Sequence, residues 1–270
     1  MSWLKQSATD TQITHGARLW LYVVAVLVVV WLVIPTLLVI PMSFSASQYL
    51  EFPPREWSVR WYKSYFNSTS WMQATVTSLK AGLLTALLAT PLATMAAYGL
   101  HVSRLRHANL LLMLLLTPMV VPVILIGIGV FYAYVKLKLV NSLLGLVLAH
   151  SMLAIPVVML VVASALKSFD LDQELVARSL GASRIKAFWM VTLPQIKFSV
   201  VTGAVLAFLT SFDEIIVSLF VSGGDNSTLT RNMFNALRDQ VDPTIAAIST
   251  LIVLATTVLL VITQYVGRSK

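Results

Sequence analysis

The chain has 270 residues, of which 58% are hydrophobic and only 11% charged, with a formal net charge of +8 and no cysteine. A soluble domain carries about a quarter charged residues, so this chain has too little charged surface to face water and needs a lipid solvent. The absence of cysteine excludes disulfides, thiolate zinc sites and iron–sulfur clusters. The basic residues sit between apolar runs and not on one soluble face, which sets aside nucleic acid and fits orientation by the positive-inside rule.

Residues 1–18 are polar and read as a cytoplasmic N-terminal segment. The first apolar run, Leu19–Met42, is too long for a cleaved signal core of about 7–15 residues and reads as a retained span. Five further runs have the roughly 20 residues that a span needs: Met72–Leu100, Ala108–Tyr134, Ser142–Leu166, Phe198–Phe220 and Ile245–Val266. The expectation is an all-α membrane protein of about six transmembrane helices, with the membrane domain over 19–266 and a short cytoplasmic tail over 267–270. With the N-terminus inside, eleven Lys and Arg fall in inner segments and seven in outer ones, favouring cytoplasmic termini.

Between the first two runs, Ser43–Trp71 is dense in aromatics, including Trp57, Trp61, Tyr62 and Tyr65. An interfacial belt is the plain reading, and a docking surface for an outer partner the sharper one. Lys80 lies in the second run, where it snorkels outward or pairs with Asp213 or Glu214. Gly127-Ile128-Gly129 suits close helix packing. His150, flanked by apolar residues, reads as a hydrogen-bonded packing histidine before a proton relay.

Lys167–Lys197 is the longest inner segment. Asp170 and Asp172 precede a short amphipathic stretch, Gly181 suits a corner of positive φ, Ser183 suits a helix cap, and Pro194 closes the second short helix or opens the next span. Two short helices with a glycine corner fit either insertion into a partner's groove or lying on lipid. In the fifth run, Ser211, Glu214 and Ser218 fall at i, i+3 and i+7, one helical stripe beside Asp213. The stripe suits a translocation-path lining or, equally, intramembrane pairing.

Gly181-Ala182-Ser183 followed by Val191-x-Leu193-Pro194, with Pro194 thirteen residues after Gly181, resembles the EAA loop of ABC importer permeases. The family Glu-Ala-Ala falls on Leu175-Val176-Ala177, so only Ala177 is kept, and Glu174 sits one position early. The resemblance runs over most of the chain. Ser211-Phe212-Asp213-Glu214 and Asp242-Pro243-Thr244 are similar to spermidine/putrescine-type permeases, as is Thr117-Pro118-Met119-Val120-Val121-Pro122. It implies a type I permease fold in a bacterial inner membrane, importing a small solute of polyamine type, with opines, phosphonates or amino-acid-like solutes as alternatives. It implies that Glu174, Ala177, Arg178, Gly181, Ala182, Ser183, Leu193 and Pro194 form the loop that couples to an ATPase. It also implies a second homologous permease, a pair of cytoplasmic ATPase subunits and an external solute-binding protein. The chain has no P-loop, so it is expected to bind no cofactor, with ATP and Mg on the partner. A stand-alone secondary transporter would show inverted repeats, and none is visible. An intramembrane enzyme would need a facing dyad, which adjacent Asp213 and Glu214 do not form.

Overall fold

A computed structural model describes residues 14–103, 106–239 and 241–268, with side chains up to 258 in the last stretch. Lys5, Arg104 and Lys270 of the orientation tally, most of the 1–18 segment and the end of the 267–270 tail lie outside the described residues. In chain order the helices are α1 Leu19–Met42, α2 Arg60–Asn67, α3 Thr69–Val102, α4 Ala108–Leu116, α5 Val123–Leu137 and α6 Leu143–Lys167. They continue as α7 Asp172–Ser179, α8 Arg184–Ala187, α9 Leu193–Asp213, α10 Ile216–Val221, α11 Leu229–Asp239 and α12 Thr244–Arg268.

Of the six expected spans, four are single long apolar helices and a fifth is a bent pair. By length and apolarity α1, α3, α6 and the stretch Arg184–Asp213 can each cross a bilayer, and α4 with α5 forms a fifth, broken crossing. The 25-residue α12 stands at the expected sixth position. The third run is not one helix. A 3-10 turn at Thr117–Met119 separates α4 from α5, which are bent by 92°. Pro118 and Pro122 explain the break, because each lacks an amide donor and disfavours helix at the residue before it. Pro122 itself is extended, with ψ 126°. The fifth run is not one helix either. Its helix stops at Asp213, Glu214 adopts ψ 116°, and the short α10 follows.

The start of the fifth helix also differs from expectation. Pro194 stands in the first turn of α9, the second of its two expected readings, but α9 is not separate from the short helix before it. A π-turn at Phe188–Thr192 joins α8 to α9, so the helix runs on from Arg184 to Asp213. Proline in a helix removes one donor and crowds the carbonyl four residues back, and a widened turn relieves both.

The chain divides into two compact units, Thr69–Asn235 and the described residues of Met1–Ser68 with Ala236–Lys270. In the first, α3, α6 and α9 pack together. Ala89, Ala93 and Ala97 recur every four residues on α3 and meet Ala154, Val158 and Val162, at the same spacing on α6. With little hydrophobic drive between helices in lipid, small residues favour association by letting backbones approach. A second cluster gathers Ile126 and Tyr134 of α5, Leu146 and Ala149 of α6, and Val217 and Val221 of α10. The β-carbon that Gly127 lacks would lie 2.8 Å from the Phe220 ring, so the close packing expected there is made; Gly129 faces open space.

Contacts in this unit sort its helix ends into two groups. The start of α3, the start of α6 and the segment after α10 meet, as in the Gln73 amide to Asp225 carbonyl bond and the Asn141 amide to Val221 carbonyl bond. The end of α3 meets α7 at the opposite end. This is the arrangement that alternating crossings produce.

In the second unit, α1 and α2 pack against α12. No residue of α1 is buried, and Trp31 is 80% exposed, as for a helix whose sides are left to lipid. Around the connection between α1 and α2 the Phe44 ring lies 5.2 Å from that of Tyr62, whose hydroxyl is 2.7 Å from Ser43 Oγ.

Candidate functional site

The loop over 167–197 is built as the sequence indicates, with an anchor the sequence does not announce. Helix α7 begins where the Asp170 carboxylate accepts the Asp172 amide at 3.0 Å. It ends at a glycine corner. The Gly181 amide donates to the Arg178 carbonyl at 3.0 Å and the Ala182 amide to the Ala177 carbonyl at 3.1 Å. With Gly181 at φ +92°, this is a Schellman motif, and only glycine takes that φ without cost. Ser183 Oγ then accepts the Lys186 amide at 3.3 Å and caps α8. Ala177 and Ala182 are half-buried, while Arg178, Gly181 and Ser183 are exposed.

Large apolar side chains crown this corner and face outward. Leu180 is 84% exposed and Ile185 72%, beside exposed Leu175 and Val176. Exposed Arg178, Arg184 and Lys186 flank them. Leu193 is half-buried and Pro194 exposed at the base of α9.

Glu174 faces the other way. Only 3% exposed, its carboxylate accepts the Tyr98 hydroxyl at 2.6 Å and the Thr192 hydroxyl at 2.9 Å. The Tyr98 ring also packs 4.6 Å from that of Phe188. One buried carboxylate therefore ties α7 to the end of α3 and to the π-turn below α9. A buried carboxylate needs such donors, and both are supplied. Leu175 occupies the position of the family glutamate and points to solvent. Tyr98 and Thr192 were not singled out in the sequence, because they stand 76 residues before and 18 after Glu174.

At the far end of α9 the four path candidates separate. Ser211 and Ser218 are buried and both bond His150, with Ser211 Oγ 2.7 Å from Nδ1 and Ser218 Oγ 3.2 Å from Nε2. Ser218 Oγ donates to the Glu214 carbonyl at 2.9 Å. Its proton is therefore spent, so Nε2 carries the ring proton and Nδ1 accepts from Ser211. His150 is a fully buried packing histidine, as expected. Glu214 Oε1 accepts the Val217 amide at 2.8 Å and caps α10. Only Asp213 is exposed. The expected helical stripe is thus broken at Glu214, with its hydroxyls turned inward. The pairing considered for Lys80 is absent: among the described residues the ion pair is Arg238 with Asp239, 2.8 Å apart.

No group of His, Cys, Asp or Glu among the described residues could hold a metal. The site offers a rigid corner with exposed apolar side chains, an anchored helix base, and an exposed carboxylate, Asp213, at that helix's far end.

Comparisons agree with this geometry. Residues 89–269 match the family described as "Binding-protein-dependent transport system inner membrane component". The chain is 32% identical to the putrescine transport system permease protein PotI of Escherichia coli K12, over 86% of this chain and 85% of that one. It is 28% identical to the spermidine/putrescine transport system permease protein PotC of Haemophilus influenzae, over 89% and 93%. A solved chain from a bacterial ABC transporter that imports the acidic polysaccharide alginate superposes with TM-score 0.68 at 14% identity, covering 95% of this chain and 98% of that one. That likeness carries the fold. A helical membrane chain with an anchored glycine corner and a family match over most of its length belongs to the inner membrane components of binding-protein-dependent transport systems, permeases of ABC importers.

Proposed function

We propose that this permease imports a small organic cation of the polyamine class, putrescine or spermidine. The relatives named for putrescine and spermidine, matched over most of the chain, support the substrate class. The observation that carries the mechanism is the cytoplasmic corner, with Leu180 and Ile185 exposed on a loop anchored through Glu174. Exposed apolar residues on a short rigid helix suit a groove on a partner.

The partner is one of two ATPase subunits, which hold ATP and Mg. A second, homologous permease completes the pathway, and an external solute-binding protein delivers the cargo. Both termini are cytoplasmic, in keeping with six crossings and the excess of inner Lys and Arg. ATP-driven closure of the ATPases moves the corner containing Ala177, Arg178, Gly181, Ala182 and Ser183, and Glu174 passes the motion to α3 and α9. At the far end Asp213 is the carboxylate available to a passing cation. Ser211 and Ser218 hold the helix break through His150, and Glu214 caps α10.

Calorimetric titration of the system's solute-binding protein with putrescine and spermidine tests the substrate. Saturable binding of either supports the reading. Binding of a phosphonate, an opine or an amino acid in their place overturns the substrate class and leaves the permease role. Solute uptake by this chain alone in liposomes overturns the shared pathway.

A further inference from the structure

At the outer end of the first unit, the start of α3, the segment after α10 and the first turns of α11 enclose a polar cavity of about 460 Å³. Ser70, Gln73, Asp225, Arg231, Asn232 and Asn235 contribute to its lining. The cavity is held open by fixed contacts. Gln73 Nε2 donates to the Asp225 carbonyl at 3.1 Å, and the Leu229 amide donates to Ser78 Oγ at 2.8 Å, pinning α11 to α3.

The charge in this cavity is unmatched. The Arg231 guanidinium makes one long hydrogen bond, from Nη1 to Ser222 Oγ at 3.4 Å, and its Nε is buried with no partner. No carboxylate lies within ion-pair distance of it, since Arg238 with Asp239 is the ion pair among the described residues. Asp225, on the exposed rim, is also unpaired. A guanidinium presents five donors in a fork that matches a carboxylate, and a half-desolvated one gains most from meeting it.

A polyamine is a poor occupant, because its ammonium groups would meet Arg231. We infer that this cavity receives an acidic side chain of the external solute-binding protein, with Arg231 as the floor contact and Asp225 meeting a basic residue on the rim. The inference rests on the importer reading, which supplies a protein partner on this side. Opposite charges a fixed distance apart set register as well as attraction. The amides of Gln73, Asn232 and Asn235 suit the polar surroundings of such a contact.

The test uses the complete permease–ATPase complex in nanodiscs and the purified solute-binding protein of the same system. Binding is measured for the native complex, Arg231→Gln, Arg231→Glu and Asp225→Asn at low and moderate salt. Arg231→Gln is expected to weaken binding about tenfold, Arg231→Glu more, and both to flatten the salt dependence. Asp225→Asn weakens binding by about threefold; its side chain is exposed, so this variant probes the cavity without disturbing the fold. Recovery of the ATPase subunits at native yield establishes that each variant assembles. Unchanged affinity in all three variants overturns the inference with the importer reading intact. Unchanged affinity with reduced uptake also overturns it and moves Arg231 to the solute path. A native complex that binds no solute-binding protein overturns the importer reading itself.

Discussion

The Tyr98 hydroxyl donates to the Glu174 carboxylate across 2.6 Å, so the end of α3 holds the first turn of α7. Removing the acceptor leaves two hydroxyls without this partner, that of buried Thr192 and that of half-buried Tyr98. Glu174→Ala is expected to cost about 2–3 kcal/mol of stability and Tyr98→Phe about 1 kcal/mol. Thermal unfolding of the detergent-solubilised complex checks both. If Glu174 transmits motion, Glu174→Ala also lowers uptake per ATP hydrolysed, a ratio that a purely structural loss would not change.

Gly181 sits at φ +92°, and a side chain added there would meet open space. Gly181→Ala therefore carries only the backbone strain of a left-handed residue, about 1–2 kcal/mol. Gly181→Val adds bulk at the corner that the partner must cover. Pull-down of the ATPase with each variant separates the effects: retention with alanine and loss with valine is the expected pattern.

His150 holds two hydroxyls that lie on opposite sides of the helix break, on α9 and α10. His150→Leu keeps roughly the volume, strands the Ser211 hydroxyl and leaves Ser218 with its bond to the Glu214 carbonyl, with an expected loss of about 1–3 kcal/mol. Ser211→Ala removes one bond and is expected to cost about 1 kcal/mol. Unfolding midpoints measured in one lipid composition test this order.

Asp213 and Glu214 are adjacent but have different work. Asp213→Asn is expected to reduce polyamine uptake about fivefold, the effect of losing about 1 kcal/mol of attraction for a cation, with native thermal stability. Glu214→Ala removes the cap of α10 and is expected to cost about 1 kcal/mol. Initial uptake rates and unfolding midpoints on the two single variants give the answer. Equal effects of both on both readings would remove the distinction.

Much of this was readable in the sequence because the bilayer imposes a coarse rule. Long apolar runs mark crossings, and Gly181, Ser183 and Pro194 mark a corner, a cap and a helix base through their own backbone chemistry. The breaks at Pro122 and Glu214 were less legible, because hydropathy stays high across both. The two prolines flanking Met119-Val120-Val121 were the available signal for the first. The partners of Glu174 and His150 were out of reach. His150 meets serines 61 and 68 residues further on, and no local periodicity encodes such pairings. The stripe of Ser211, Glu214 and Ser218 failed because it assumed an unbroken helix.

The π-turn at Phe188–Thr192 has a geometric consequence. Thr192, its last residue, is held by Glu174, so in the proposed cycle a displacement arriving at the Gly181 corner is delivered at the foot of α9. From there the 21 residues of α9 reach about 30 Å, at 1.5 Å per residue, to Asp213. A tilt of about 10° around that foot sweeps Asp213 through about 5 Å, roughly the pitch of one helical turn. In the proposed cycle the helix acts as a lever with its fulcrum beside the anchor, and its long arm ends on Asp213, the exposed one of the four path candidates.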